Sequence, residues 1–234
     1  MLEGPEDSMV SRHSIGAAVT LAFFGIAAGN AFARPETLQS VITPFSGEAT
    51  SPEGPIVLKN DSFVDGGGQA YLQMGFVAGE KAGVWVKVPE AVPYFKVEHF
   101  RVLYGSSQER ALTSNQIFFQ MAVESQPGPA IPWQIENAAQ ITPGPYWNDI
   151  PAQGEPGTLR CARGGEFVGA SLEFVHNGAP SVYRDLDGLA DMRMNVLFAV
   201  PGGWNYSAAY GLRGDWILRV VGREASAAEC GAEE

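Results

Sequence analysis

Cysteine, histidine and positive charge are all scarce in this 234-residue chain, and each shortage removes a class of function. Only Cys161 and Cys230 are present, and neither has a second Cys or His at ligand spacing, which argues against a structural zinc site. Beyond the N-terminal region the histidines are His99 and His176 alone. Both fall on expected strands or strand ends, and no Gly-x-Ser-x-Gly elbow accompanies them, so the sequence carries no nucleophile and base signature. Fifteen Lys and Arg face 26 Asp and Glu, a net charge of −11. A chain this acidic repels phosphate backbones and anionic lipid, and no basic cluster offsets the field, so nucleic-acid binding is not expected. Amphipathic helical stretches, heptads, internal repeats and phosphate-cradling glycine loops are absent as well, which leaves no nucleotide signature.

One long apolar run is present, and its position gives it meaning. Ser11-Arg12-His13 is followed by an uncharged, largely apolar segment, 15–28, and then by Gly29-Asn30-Ala31-Phe32-Ala33. The run is shorter than the roughly 20 residues a spanning helix needs, and Ala31-Phe32-Ala33 fits the small-x-small rule of signal peptidase. Residues 1–33 are therefore expected to be a cleaved signal peptide. Translation is expected to start at Met9, because the preceding residues carry Glu3, Glu6 and Asp7 where a positive n-region belongs. No membrane span is expected after cleavage, and the location is secreted, periplasmic or cell envelope. In such an oxidising compartment Cys161 and Cys230 are expected to form a disulfide.

Roughly 200 residues then remain, enough for one large all-β domain with a sizeable core. Residues 34–54 read as a linker or edge segment, 55–223 as the domain and 224–234 as a tail. The 28 Gly and 16 Pro punctuate short apolar runs at 70–78, 82–88, 93–105, 115–125, 165–176, 194–200 and 215–221. Counting shorter segments, about nine or ten strands are expected, which predicts a two-sheet antiparallel sandwich, jelly-roll-like in form. In 215–221, Trp216, Leu218 and Val220 share one face and Ile217, Arg219 and Val221 the other, the pattern of a central strand with Trp216 in the core. This last stretch resembles the closing strand of the P-domain and related galactose-binding-like sandwiches, through Gly214, Trp216, Leu218 and Val220. The resemblance spans seven residues and implies a β-sandwich; it carries over no site.

Strand side chains alternate between faces, which allows each aromatic to be assigned a side. Trp85 shares a face with Lys87, opposite Val84, Val86 and Val88. Phe118 lies between Gln116 and Gln120, opposite Ile117, Phe119 and Met121. Tyr71 accompanies Gln73, opposite Leu72, Met74 and Phe76. If those strands are neighbours, Tyr71, Trp85 and Phe118 form an aromatic platform rimmed by Gln73, Gln116 and Gln120, able to stack a sugar ring while the amides bond its hydroxyls. The competing reading is that a loop covers these rings and they are core. Trp204, Tyr206 and Tyr210 sit beside a Gly-bounded loop and are also expected to be exposed.

Two acidic loops stand out. Asp185, Asp187 and Asp191 surround Gly188 and offer oxygens to a hard cation such as calcium, although the loop lacks the Glu that closes an EF-hand. Asp61 and Asp65 form a weaker loop of the same kind. An Asp-Gly pair is equally an everyday turn. Glu98 and Glu173 are a carboxylate pair of the type glycosidases use, if the fold brings them together. The function expected is an exported, non-catalytic sandwich that binds a glycan or an envelope protein. An assembly subunit of the cell envelope is the alternative, and a hydrolase the third reading.

Overall fold

Fifteen strands and two short 3-10 turns account for the described residues of a computed structural model, which covers 36–41, 54–64, 66–107, 111–118, 132–135, 139–144, 146–152, 161–176 and 179–231. The expected signal peptide lies outside them. The strands are β1 (Glu36–Val41), β2 (Ile56–Leu58), β3 (Gly68–Gln73), β4 (Lys81–Lys87), β5 (Tyr94–Gly105), β6 (Ala111–Phe118), β7 (Pro132–Ile135), β8 (Ala139–Ile141), β9 (Trp147–Pro151), β10 (Cys161–Arg163), β11 (Phe167–Phe174), β12 (Ser181–Arg184), β13 (Asn195–Ala199), β14 (Gly203–Tyr206) and β15 (Leu218–Glu224). One sheet runs β1-β3-β12-β5-β15-β2, with β9 and β10 also on β5; the other runs β14-β13-β4-β11-β6-β7, with β8 on β6. Each strand pairs antiparallel with its neighbours, so the expected all-β two-sheet sandwich is the architecture observed. Among the described residues no helix is long and apolar enough to cross a membrane.

The inner faces follow from side-chain alternation. On β4, Ala82, Val84 and Val86 enter the core, and β11 adds Val168, Ala170, Leu172 and Phe174. Opposite them β15 contributes Leu218 and Val220. The twelve-residue β5 sends in Phe95 and Val97, then Phe100, Val102 and Tyr104. That change of parity comes from a bulge: Val221 faces His99 and Gly222 faces Val97, which leaves Glu98 unpaired in the ladder. Trp216 is fully buried, its ring 6.0 Å from Phe76, which in turn lies 4.3 Å from Phe174. At roughly 1.5–3 kcal/mol for each large apolar side chain removed from water, this layer dominates stability.

A second apolar layer covers the outside of the first sheet. Ala70, Leu103, Tyr183 and Ile217 pack beneath Phe63 and Trp147 there. The first sheet is thus apolar on both faces.

Cys161 of β10 and Cys230 of the second 3-10 turn are disulfide-bonded, as expected, across a sequence separation of 69. The bond ties the C-terminal segment to the β5 edge. A loop of this length restricts the unfolded chain by roughly 4 kcal/mol on the chain-entropy model. Cys161→Ser with Cys230→Ser is therefore expected to lower unfolding free energy by about that amount in urea titrations, with the same native circular dichroism; a loss under about 1 kcal/mol would contradict the assignment of stability to this link.

Candidate functional site

The outward face of the second sheet carries an aromatic ledge. In β13 the core takes Leu197, so Val196 and Phe198 point outward. Register then aligns Trp204 of β14, Phe198 of β13, Lys81 of β4 and Glu173 of β11 in one row across four strands. At about 4.8 Å per strand the row spans roughly 14 Å, the length of two or three sugar rings. Its members touch in sequence. Trp204 and Phe198 meet edge to face at 5.5 Å, Lys81 Nζ stands 5.7 Å from the Phe198 ring centroid, and Lys81 bonds Glu173 at 2.7 Å. All four side chains are half-buried, as is Tyr206 in the adjacent row beside Val196.

An ion pair lies beyond Tyr206. Arg193 Nε and Nη2 donate to the two Asp191 oxygens at 3.2 and 3.1 Å, and this hydrogen bonding holds the Asp191 carboxyl below the usual range. Arg193 is also within electrostatic reach of Tyr206. Lys81 and Glu173 thus end the row on one side of the rings, and Arg193 with Asp191 lies near Tyr206 of the neighbouring row.

The expected platform is not assembled, and its members need correcting one by one. Tyr71 belongs to β3 in the first sheet and Trp85 to β4 in the second, so they do not share a face. Trp85 does point away from the main core, as alternation requires, yet it is 1% exposed beneath Val196, Met194 and Phe167. Gly169 makes room for it: a Cβ there would stand 2.6 Å from the indole. Gln73 is fully buried and accepts from Arg184 Nε at 2.9 Å, while the Arg184 guanidinium lies 5.2 Å from the Tyr71 ring centroid. Gln116 and Phe118 sit in β6, where backbone register sets them opposite Ser171 and Gly169. Their side chains, and Gln120 altogether, lie outside the described residues. Trp204, Tyr206 and Tyr210, expected to be exposed, are half-buried: Trp204 and Tyr206 pack over Trp85 and Val196, and Tyr210 packs against the main core.

The acidic loop does not bring its three carboxylates together. Asp185 is buried and accepts from the backbone N–H of Ser62 and of Asp215, both at 2.8 Å. Asp187 is exposed, and Asp191 is committed to Arg193. Among the described residues no group of three or more His, Cys, Asp or Glu is placed to hold a metal. Glu98 and Glu173 are likewise apart, on different sheets, paired with Arg223 at 3.3 Å and with Lys81.

Asp185 belongs instead to a buried polar hub with Asp61, Asp215 and Arg219. Arg219 Nε and Nη2 donate to the Asp61 oxygens at 3.0 and 2.5 Å, Nη2 also reaches the Phe63 carbonyl at 2.5 Å, and the guanidinium lies 4.6 Å from the Trp147 ring centroid. Asp215, equally buried, accepts from Ala190 N–H at 2.8 Å and from the Asn195 amide. Burial pushes Asp185 and Asp215 up to about 6 each. Gly214, at φ +88°, lets this crossing close, because a Cβ there would come 2.3 Å from the Asp185 carbonyl oxygen. Beside the hub an open pocket of about 170 Å³ lies between Ser62, Phe63, Val64, Gly68, Gln69 and Asp185–Asp187. The sequence signals for this hub were Arg219, the one charge in the run 216–221, and Asp61 in an acidic loop; nothing in the sequence joined them.

No protein-family model matches the chain, and no curated protein sequence does. Among solved structures, it is similar to the cysteine protease and lectin-like domains of Cwp84, a surface layer associated protein of Clostridium difficile, at 7% identity and a TM-score of 0.47. The match covers 76% of this chain and 37% of that one, so the chain spans just over a third of that protein's length.

Removing one partner of a buried pair strands the other charge, which typically costs about 3–5 kcal/mol. Asp61→Ala is expected to lose that much in urea unfolding, and Asp61→Leu with Arg219→Met to recover most of it. A loss below about 1 kcal/mol for the single change would show that the pair does not hold this end together.

Proposed function

We propose that this protein is an extracytoplasmic carbohydrate-binding β-sandwich, and that the glycan lies along the row Trp204, Phe198, Lys81 and Glu173. The observation that carries the reading is this row of half-buried rings continuous with an ion pair on a sheet face. Pyranose rings present C–H faces that stack on aromatics, and hydroxyls that accept from ammonium and donate to carboxylate. Lys81 and Glu173 supply one donor set and one acceptor set at one end of the row, and Arg193 and Asp191 supply the same chemistry beyond Tyr206. A surface that is an open sheet face, with the ionisable groups already paired, suits holding a ligand rather than transforming it. The Cys161–Cys230 disulfide and the leader-like segment at 15–28 support a location outside the reducing cytoplasm.

One observation favours a second reading. Among the described residues β14 pairs with β13 on one side and ends its sheet, so its backbone can add a strand from another copy in an envelope assembly. Light scattering on the eluting protein separates the two, because a strict monomer at all concentrations removes the assembly reading.

Trp204→Ala is expected to weaken glycan binding by about tenfold, equivalent to about 1.4 kcal/mol, with the native circular dichroism retained. Glycan-array profiling followed by titration calorimetry on the best hit measures this. A Trp204→Ala protein that binds as the parent does removes the ledge from the account. Trp85→Ala, by contrast, is expected to act on stability, because that ring is buried.

A further inference from the structure

The open pocket beside the hub belongs to the first sheet, whereas the ledge is on the second. Three stretches of chain line it: Ser62 to Val64 ahead of β3, Gly68 and Gln69 at the start of β3, and Asp185 to Asp187 directly after β12. A water takes up about 30 Å³ in the liquid, so a pocket of about 170 Å³ holds about five or six non-hydrogen atoms.

Half of the lining is apolar. Val64 and Leu186 are 61% and 41% exposed, and Phe63 lies between the pocket and Trp147. Gly68 carries no side chain where one would cover the Phe63 ring, since a Cβ there would stand 3.5 Å from Phe63 Cε2.

The other half accepts hydrogen bonds. Asp185 is buried, and its donors are the Ser62 N–H, the Ser62 hydroxyl and the Asp215 N–H, all neutral. Asp187 is exposed and near enough for the two carboxylates to repel. The exposed Gln69 side chain brings an amide oxygen as a third acceptor. Among the described residues no Lys or Arg bonds either carboxylate. Arg219 is held by Asp61 and the Phe63 carbonyl, Arg184 by Gln73, Arg193 by Asp191, and Lys59 bonds the Phe63 carbonyl at 3.2 Å. Two carboxylates that repel each other while lining one pocket are both stabilised by a cation placed in it.

The lining also selects the kind of cation. A hard metal ion wants several converging oxygens, and no group of three or more His, Cys, Asp or Glu among the described residues is placed to supply them. An ammonium on a short aliphatic stem matches both halves. Its three N–H donors meet three acceptors, Asp185, Asp187 and the Gln69 oxygen, while its carbons lie along Phe63, Val64 and Leu186. Four carbons and one nitrogen fill the pocket's capacity of about five or six atoms.

We propose that this pocket binds a primary alkylammonium group, the chemistry shared by the lysine side chain of a partner and by small free amines, with the charge held by Asp185 and Asp187 and the stem by Phe63, Val64 and Leu186. This second site stands whether or not the ledge binds a glycan.

NMR titration of the full chain with n-butylammonium chloride at pH 7.5 tests this. The amine is charged there, and Asp185, raised by burial to about 6, is ionised. The backbone amides of Ser62, Gly68 and Leu186 are expected to shift and saturate at millimolar amine, whereas n-butanol and sodium chloride at matched concentrations produce no saturable shift. Asp187→Asn, at an exposed position, is expected to weaken binding by about threefold. Gly68→Val, which places a side chain over the Phe63 ring, is expected to weaken it at least about tenfold, both variants keeping the native circular dichroism. Equal shifts with n-butanol or sodium chloride, shifts that never saturate, or an affinity indifferent to both substitutions overturn the proposal. Nα-acetyl-lysine methylamide distinguishes the two sources. Binding of this probe as well as n-butylammonium assigns the pocket to a lysine side chain, binding of n-butylammonium alone assigns it to a free amine, and either result upholds the ammonium site.

Discussion

The side-chain amide of Asn195 fixes how β13 enters its sheet, and the exposed ledge depends on that register. Asn195 donates to Asp215 and accepts from Trp216 N–H, so the first residue of the strand is clamped from two sides inside the hub. With Asn195 opposite Val84, Leu197 enters the core and Phe198 faces out over Lys81. A slip of one residue would exchange these faces, bury Phe198 and leave Trp204 without its edge-to-face neighbour. Gly214 permits the clamp, since no side chain fits where its Cβ would meet the Asp185 carbonyl.

Charge is distributed in the molecule according to where water can reach it. The Asp61–Arg219 pair is dry, and its worth lies in what happens when it is broken, because an intact buried pair adds little over an apolar replacement. Asp185 and Asp215 carry a different arrangement, buried carboxyls met by neutral donors, and burial raises both above the usual carboxylate range. The pairs at the ledge, Lys81 with Glu173 and Asp191 with Arg193, are partly wet and contribute little to stability. Their value is positional: each holds a planar or tetrahedral hydrogen-bonding group at the border of an apolar strip.

Much of this was legible in the chain. Strand period placed Trp216, Leu218 and Val220 together in the core and set Arg219 apart, and it put Trp85 on the face opposite Val84 and Val86. Period says which side a ring takes, though not what lies over it. Met194 and Phe167 cover Trp85, and they come from segments far away in sequence. For β3 the inference failed differently. Leu72 and Ala70 pack on the outside of the first sheet beneath Phe63 and Trp147, so apolar character there does not mark the interior, and Gln73 is buried because Arg184 needs its oxygen. Phe198 was hidden within an uninterrupted apolar run, 196–200, where alternation has no contrast; only the pairing with Lys81 reveals its side. The acids at 185–191 were noticed as a group, but Asp185 turns to Ser62 and Asp215, Asp191 to Arg193, and Asp187 is exposed, a matter of loop path that composition does not encode.

The most direct test of the central claim is a map of the tryptophan indole N–H signals as a glycan is added. The account predicts that the Trp204 signal moves together with the backbone amides of Phe198 and Tyr206, while those of Trp85 and Trp216, which are buried, and of Trp147, which lies on the other sheet, stay in place. Movement centred on Trp147, or a response spread equally over all the indoles, would contradict it.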